Sequence, residues 1–167
     1  SANDTNVCDG LGVEVALSGN TLIASTNRGL YTGAGCTIQN GYSVYIFARS
    51  GITWSRQQKL HDSNVDVSDV AIHGDTLYII SSKEHSNGQL LSLDLSKPEV
   101  SLRDAKPVIR LKDDEVIVGL TLADALTLSA ARDALYLKVS VNGIDGVRRI
   151  DFGTGQAETV PMPMPGT

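Results

Sequence analysis

The residues of this chain that could do chemistry are three histidines, a run of three carboxylates, two adjacent arginines and two cysteines. His61, His73 and His85 stand twelve residues apart. That spacing puts them on no common helix face, and a metal site or a catalytic triad needs side chains that converge. His73 falls at a turn, so it is read as a turn residue and not as a ligand. Asp113-Asp114-Glu115 supplies the oxygen ligands that a hard cation takes, yet such a run after a strand reads more simply as a solvated loop. Arg148-Arg149 could meet an acidic partner or a substrate carboxylate. Neighbours along a strand face opposite sides, so the two guanidiniums are expected to act separately. Gly153-Thr154-Gly155 is a turn without the lysine and helix start of a phosphate loop. Cys8 and Cys36 lie in polar, loop-like segments. They are either a disulfide, which would imply an extracellular or periplasmic compartment, or two free thiols. With no histidine pair beside them they are not a zinc site. Tyr31, Tyr42 and Trp54 could line a recognition face, with Trp54 expected in the core. These residues give no catalytic, cofactor-binding or metal site, and the expectation is a protein that is not an enzyme.

Composition narrows the partners. The chain has 167 residues, 41 % of them hydrophobic, enough for one domain with a core. Fourteen Lys and Arg against nineteen Asp and Glu leave a net charge of −5. Nucleic acid needs a basic footprint, and so does an anionic membrane surface, so neither is expected as a partner. No run of 18 apolar residues is present, so no transmembrane helix is expected. The polar start Ser1–Asn6 reads as an end left either by processing or by expression design. A protein or peptide is the expected partner.

The elements that must position these residues are short β-patterned runs punctuated by turns. Val13–Leu17 and Leu22–Thr26 flank Gly19-Asn20, and Ser43–Arg49 and Ile52–Leu60 flank Ser50-Gly51. Alternating apolar and polar residues on both sides of such turns read as one four-stranded meander. The pattern then repeats. Val70-Ala71-Ile72-His73-Gly74-Asp75-Thr76-Leu77 echoes Val15-Ala16-Leu17-Ser18-Gly19-Asn20-Thr21-Leu22 at an offset of 55 residues. Gln89–Leu95 and Pro107–Lys112 are the expected third and fourth strands of that second unit.

A weaker third copy pairs Leu126–Ser129 with Ala134–Val141 and continues through Val147–Phe152 to Ala157–Val160. Asn142-Gly143 and Asp145-Gly146 are both hairpin-type dipeptides. Glu115–Leu122 is either an additional strand or the first strand of the third unit, and a short helix over Ala123–Asp133 competes for the same region. The fold class is therefore all-β. It is one domain over residues 1–167, made of three four-stranded antiparallel propeller-type blades at about 11–62, 65–112 and 115–161.

Residues 12–60 resemble an FG-GAP repeat of the integrin α-chain type. The likeness lies in Val15–Leu22, Val44-Tyr45-Ile46-Phe47 and Trp54–Leu60. Leu11-Gly12 stands where Phe-Gly is usual, and Ala24-Ser25-Thr26 where Gly-Ala-Pro is usual. Many such repeats carry a calcium loop of aspartates, but Asn27–Gly41 holds no Asp or Glu, so no calcium is expected. Residues 65–161 resemble the propeller domain of prolyl oligopeptidases. That likeness lies in Asp75–Lys83, Gln89–Pro98, Ala134–Leu137 and Val147–Gly155. In that family the propeller gates a separate α/β-hydrolase domain. No Gly-x-Ser-x-Gly elbow stands in these 167 residues.

The two resemblances imply a partial propeller, or a fragment of one, that binds without catalysing. The alternative is the gating propeller of a prolyl-oligopeptidase-like peptidase, parted from its catalytic domain. An engineered or recombined chain would also explain two blade styles meeting near Leu60. Three blades leave two outer sheet faces. If those faces are as apolar as the buried ones, self-association is expected, with two copies closing a six-bladed ring.

Overall fold

The computed structural model describes residues 11–26, 42–62, 65–82, 84–109, 111–118 and 127–161. Cys8, Cys36, Tyr31 and the loop Asn27–Gly41 lie outside the described residues. Within them the chain folds into three antiparallel sheets, taken in chain order.

The first sheet is the expected meander: β1 (Leu11–Ser18), β2 (Thr21–Thr26), β3 (Tyr42–Ser50) and β4 (Thr53–Asp62), each paired with the next. The second sheet is β5 (Asp69–His73), β6 (Thr76–Ser81), β7 (Gln89–Asp94) and β8 (Lys106–Pro107). Its last strand is much shorter than the expected Pro107–Lys112. Its pairs are Ser92 with Lys106 and Leu91 with Pro107, and one further backbone bond, Val108 N to Leu90 O at 2.9 Å, follows before the chain leaves the sheet. The connection into β8 carries a 3₁₀ turn, Leu102–Asp104, closed by a capping box between Ser101 and Asp104.

The third sheet has five strands and not four: β9 (Glu115–Ile117), β10 (Leu128–Ala130), β11 (Ala134–Val141), β12 (Ile144–Asp151) and β13 (Ala157–Val160). The rival readings of Glu115–Leu122 and 126–131 are both partly right. β10 pairs with the start of β11 and β9 with its end, so two short strands share one edge of an eight-residue strand. A helix reaching Asp133 is excluded by β10, and residues 123–126 lie outside the described residues. Asn142-Gly143 is the hairpin turn, both residues at positive φ as a type I′ turn requires. The other expected turn dipeptide, Asp145-Gly146, lies inside β12.

Alternation along the strands makes the sheets stack. Val70, Ile72, Leu77, Ile79, Leu91 and Leu93 of the second sheet pack on Ile23, Val44, Ile46 and Leu60 of the first. The opposite face of the second sheet, with Ala71, Ile80 and Leu90, packs on Ile117, Leu128, Leu135, Leu137, Val139 and Ile150 of the third. The middle sheet is thus covered on both faces. Polar clasps add to this apolar stacking. Asp62 at the end of β4 pairs with Arg103, and Gln58 donates to the Val100 carbonyl at 3.2 Å. The repeated turn position works twice: Ser18 Oγ accepts from Gly74 N of the next sheet at 3.1 Å, and its counterpart His73 stacks on Phe152 of the third at 3.9 Å.

Candidate functional site

The starts of β5 and β7 and the end of β6 lie at one end of the second sheet, and polar groups gather there. Asp69 opens β5 just before the apolar run Val70-Ala71-Ile72, so its carboxylate is buried with the strand. One oxygen accepts from Val70 N at 2.7 Å, and the other accepts from Leu128 N of β10 at 2.8 Å. The carboxylate thereby ties the first strand of the second sheet to the short edge strand β10 of the third. Burial raises its pKa, against three backbone N–H groups that lower it. Glu14 of β1 is half-buried, and its carboxyl is also raised, first by burial and then by the negative charge of Asp69. Asp66 accepts from the hydroxyls of Ser81 and Ser82 at the close of β6.

Beside them is a cavity of about 470 Å³ lined by His85, Asn87, Gln89, Ile109, Lys112 and Asp113, among others. Its wall is fixed by bonds that cross between sheets. Ile117 N of β9 donates to Asn87 O at 2.8 Å, and Gly88 abuts the Ile117 side chain. The lining mixes one imidazole, one ammonium and one carboxylate with amides and aliphatic groups. Such a lining can hold a peptide-like ligand through hydrogen bonds. Among the described residues, no group of three His, Cys, Asp or Glu is placed to hold a metal ion.

The three histidines do not come together. His61 accepts or donates at Nδ1 with Ser43 Oγ (3.1 Å), His73 stacks on Phe152, and only His85 reaches the cavity. The carboxylate run is not a solvated loop throughout. Glu115 is buried, pairs with Arg148 and accepts from Lys112 N, while Asp114 meets Asn142 and Asp113 lines the cavity. The reason is β9, whose alternation turns Glu115 inward beside Ile117. Arg148 and Arg149 face opposite sides as strand geometry demands. Arg149 binds Asp133, Asp151 and Glu158 on the far face of the third sheet.

Trp54 does not enter the core. It is half-buried at the edge of the first sheet's outer face, with the Arg49 guanidinium 5.6 Å from its ring. Glu14 and Asp69 had no motif to announce them. The available sign was a carboxylate set directly before an apolar strand.

No protein-family model matches the chain, and no curated protein matches it. Solved structures do. A prolyl endopeptidase, one of two studied for inter-domain dynamics in catalysis and specificity, superposes at a TM-score of 0.58 and 15 % identity over 87 % of this chain. Prolyl oligopeptidase B from Galerina marginata, bound to a 35mer hydrolysis and macrocyclization substrate, gives a TM-score of 0.51 and 14 % identity over 85 %. The chain spans 18 % of the length of each. At this identity the likeness shows a fold of the propeller type.

Proposed function

We propose that the chain is a propeller-type binding and interaction module that does no chemistry of its own. The observation that carries this reading is the distribution of its polar groups. The charged side chains with assigned partners clasp sheet to sheet, as in Asp62–Arg103 and Asp69–Leu128, brace strands within one sheet, as in Glu115–Arg148, or are spread over the outer faces. The one histidine–hydroxyl pair among the described residues, His61 with Ser43 at 3.1 Å, has no carboxylate orienting its imidazole as a catalytic nucleophile-and-base pair requires. The partner is a protein or peptide. A net charge of −5 argues against nucleic acid and anionic membranes. The test is to incubate the purified chain with proline-containing peptides and recover them by mass spectrometry. Intact peptides are expected, and turnover by the chain alone would refute the reading.

A second reading is favoured by the superposition on two prolyl peptidases: the chain is part of a gating propeller. It predicts that adding the chain to a separately produced catalytic domain of such a peptidase changes which peptide lengths are cleaved. The module reading predicts no change.

A further inference from the structure

We propose that the cavity at the end of the second sheet binds an extended, uncharged peptide segment with aliphatic side chains. The proposal rests on the module reading and gives its partner a place and a chemistry.

Gln89 carries the argument. It opens β7 and is only 8 % exposed, yet it lines the cavity. Its side-chain amide has no hydrogen-bond partner among the described residues. A polar group sealed from water without a partner is costly, and among the described residues only the Tyr45 hydroxyl is left in that state. The Gln89 amide therefore opens on the space it lines. Elsewhere carboxylates and amides are spent on clasps, as Asp69 and Gln58 are. Around the cavity, His85, Asn87, Lys112 and Asp113 make no side-chain hydrogen bond or ion pair with a described residue. The backbone that carries the two amides is nonetheless fixed. Gly88 N donates to His85 O at 2.8 Å and closes the turn, and Asn87 O accepts from Ile117 N of β9. Groups held in advance cost less to order when a ligand arrives.

The rest of the lining sets the ligand's class. Pro107, Ile109 and Leu111, alternate residues of the chain that continues from β8, all border the cavity. An extended peptide also repeats by two. It offers an N–H and a C=O at each residue, and a side-chain amide can meet both. No aromatic ring is among the described lining residues, so a nucleobase has nothing to stack on. Lys112 stands next to Asp113, so no unopposed positive charge awaits a phosphate. One ammonium and one carboxylate cancel, which favours an uncharged segment. The volume of about 470 Å³ is that of a small-ligand site, and it admits a few residues and not a folded domain.

The end faces of the stack are a poorer place for the partner. Tyr45 and Ala24, central on the outer face of the first sheet, are 0 % and 5 % exposed, so the single chain already covers them. The outer face of the third sheet carries Lys138, Arg149 and Glu158, opposite the buried Leu135, Leu137 and Ile150. The expectation of two equally apolar outer faces is thus corrected.

Amide NMR of the full chain tests the proposal, with a mixture of acetylated and amidated tetrapeptides of glycine, alanine, valine, leucine and isoleucine as the probe. Saturable shifts are expected in the side-chain amides of Asn87 and Gln89 and in the backbone around Leu111–Asp113. Peptides carrying one glutamate or one lysine are expected to bind about tenfold more weakly. Gln89→Leu keeps the volume and removes the amide, and Asn87→Ala spares the backbone bond to Ile117. Each is expected to weaken binding about tenfold with the circular dichroism spectrum unchanged, while Ile52→Ser, in the exposed turn of the first sheet, changes nothing. No saturable shift with any of the peptides overturns the proposal. So does tighter binding of the charged peptides, or binding that survives both Gln89→Leu and Asn87→Ala. That last result would leave the module reading standing, whereas cleavage of a peptide would refute that reading wherever it binds.

Discussion

Glu115 and Arg148 form the most enclosed ion pair among the described residues, with side-chain exposures of 4 % and 18 %. Removing one partner leaves a charge without its counter-ion in the interior. Glu115→Ala is therefore expected to lower unfolding free energy by about 3 kcal/mol in urea titrations. The double change Glu115→Leu with Arg148→Met should recover most of that loss, because an apolar pair of similar size carries no desolvation cost. Asp69 gives a second prediction with a defined sign. Its folded pKa lies above the ordinary 3.8, so the folded state holds its proton more tightly than the unfolded chain does. Its contribution is full below about pH 4 and is lost as pH rises through the folded value. Asp69→Asn removes that loss and also the charge that raises Glu14. The stability gap between wild type and variant should therefore shrink between about pH 4 and pH 7, and a gap that is flat or widens would contradict the assignment. Asp94, Asp133 and Asp151 are held below 3.8 by hydrogen bonds and cationic partners, so they act the other way, at lower pH. At this scale the sequence showed which residues were polar, and that Arg148 and Arg149 must part. It could not show that Glu115 is buried or that Asp69 reaches Leu128, because those contacts join positions 33 and 59 residues apart.

The meanders themselves were legible, because their signals are local. Apolar alternation, turn dipeptides and the 55-residue echo placed the first sheet within about two residues. The misplaced pieces depend on what lies alongside. β8 is a strand only where it lies against Leu91 and Ser92 of β7, and β9 and β10 are strands only because β11 is long enough to pair both. Gly88 tests the join between the second and third sheets. It has φ of +83°, and a Cβ there would stand 3.0 Å from Ile117 Cβ. Gly88→Ala is expected to cost about 1–3 kcal/mol, from backbone strain and displacement of β9. A neutral effect in thermal unfolding would mean that this contact does not hold the cavity wall.

For the whole molecule, stability is a sum over stacked interfaces and function falls to the surfaces the stack leaves open. The paired-cysteine expectation belongs here, since a bridge between Cys8 and Cys36 would close a long loop worth about 3 kcal/mol and would fit an oxidising compartment. A thiol count in denaturant without reductant should find no reactive thiol, and two would end the idea. The difference between the outer faces could not be foreseen from the repeat, because strands with the same turns carry Val15, Leu17 and Phe47 in the first copy and Lys138, Arg149 and Glu158 in the third. Amide hydrogen exchange followed by mass spectrometry tests the central claim most directly, since it reads each sheet separately. The account predicts slowest exchange in β6 and β7, covered on both faces. It predicts faster exchange in the end strands β1 and β13, each paired on one side only. Equal protection in all three sheets would contradict it.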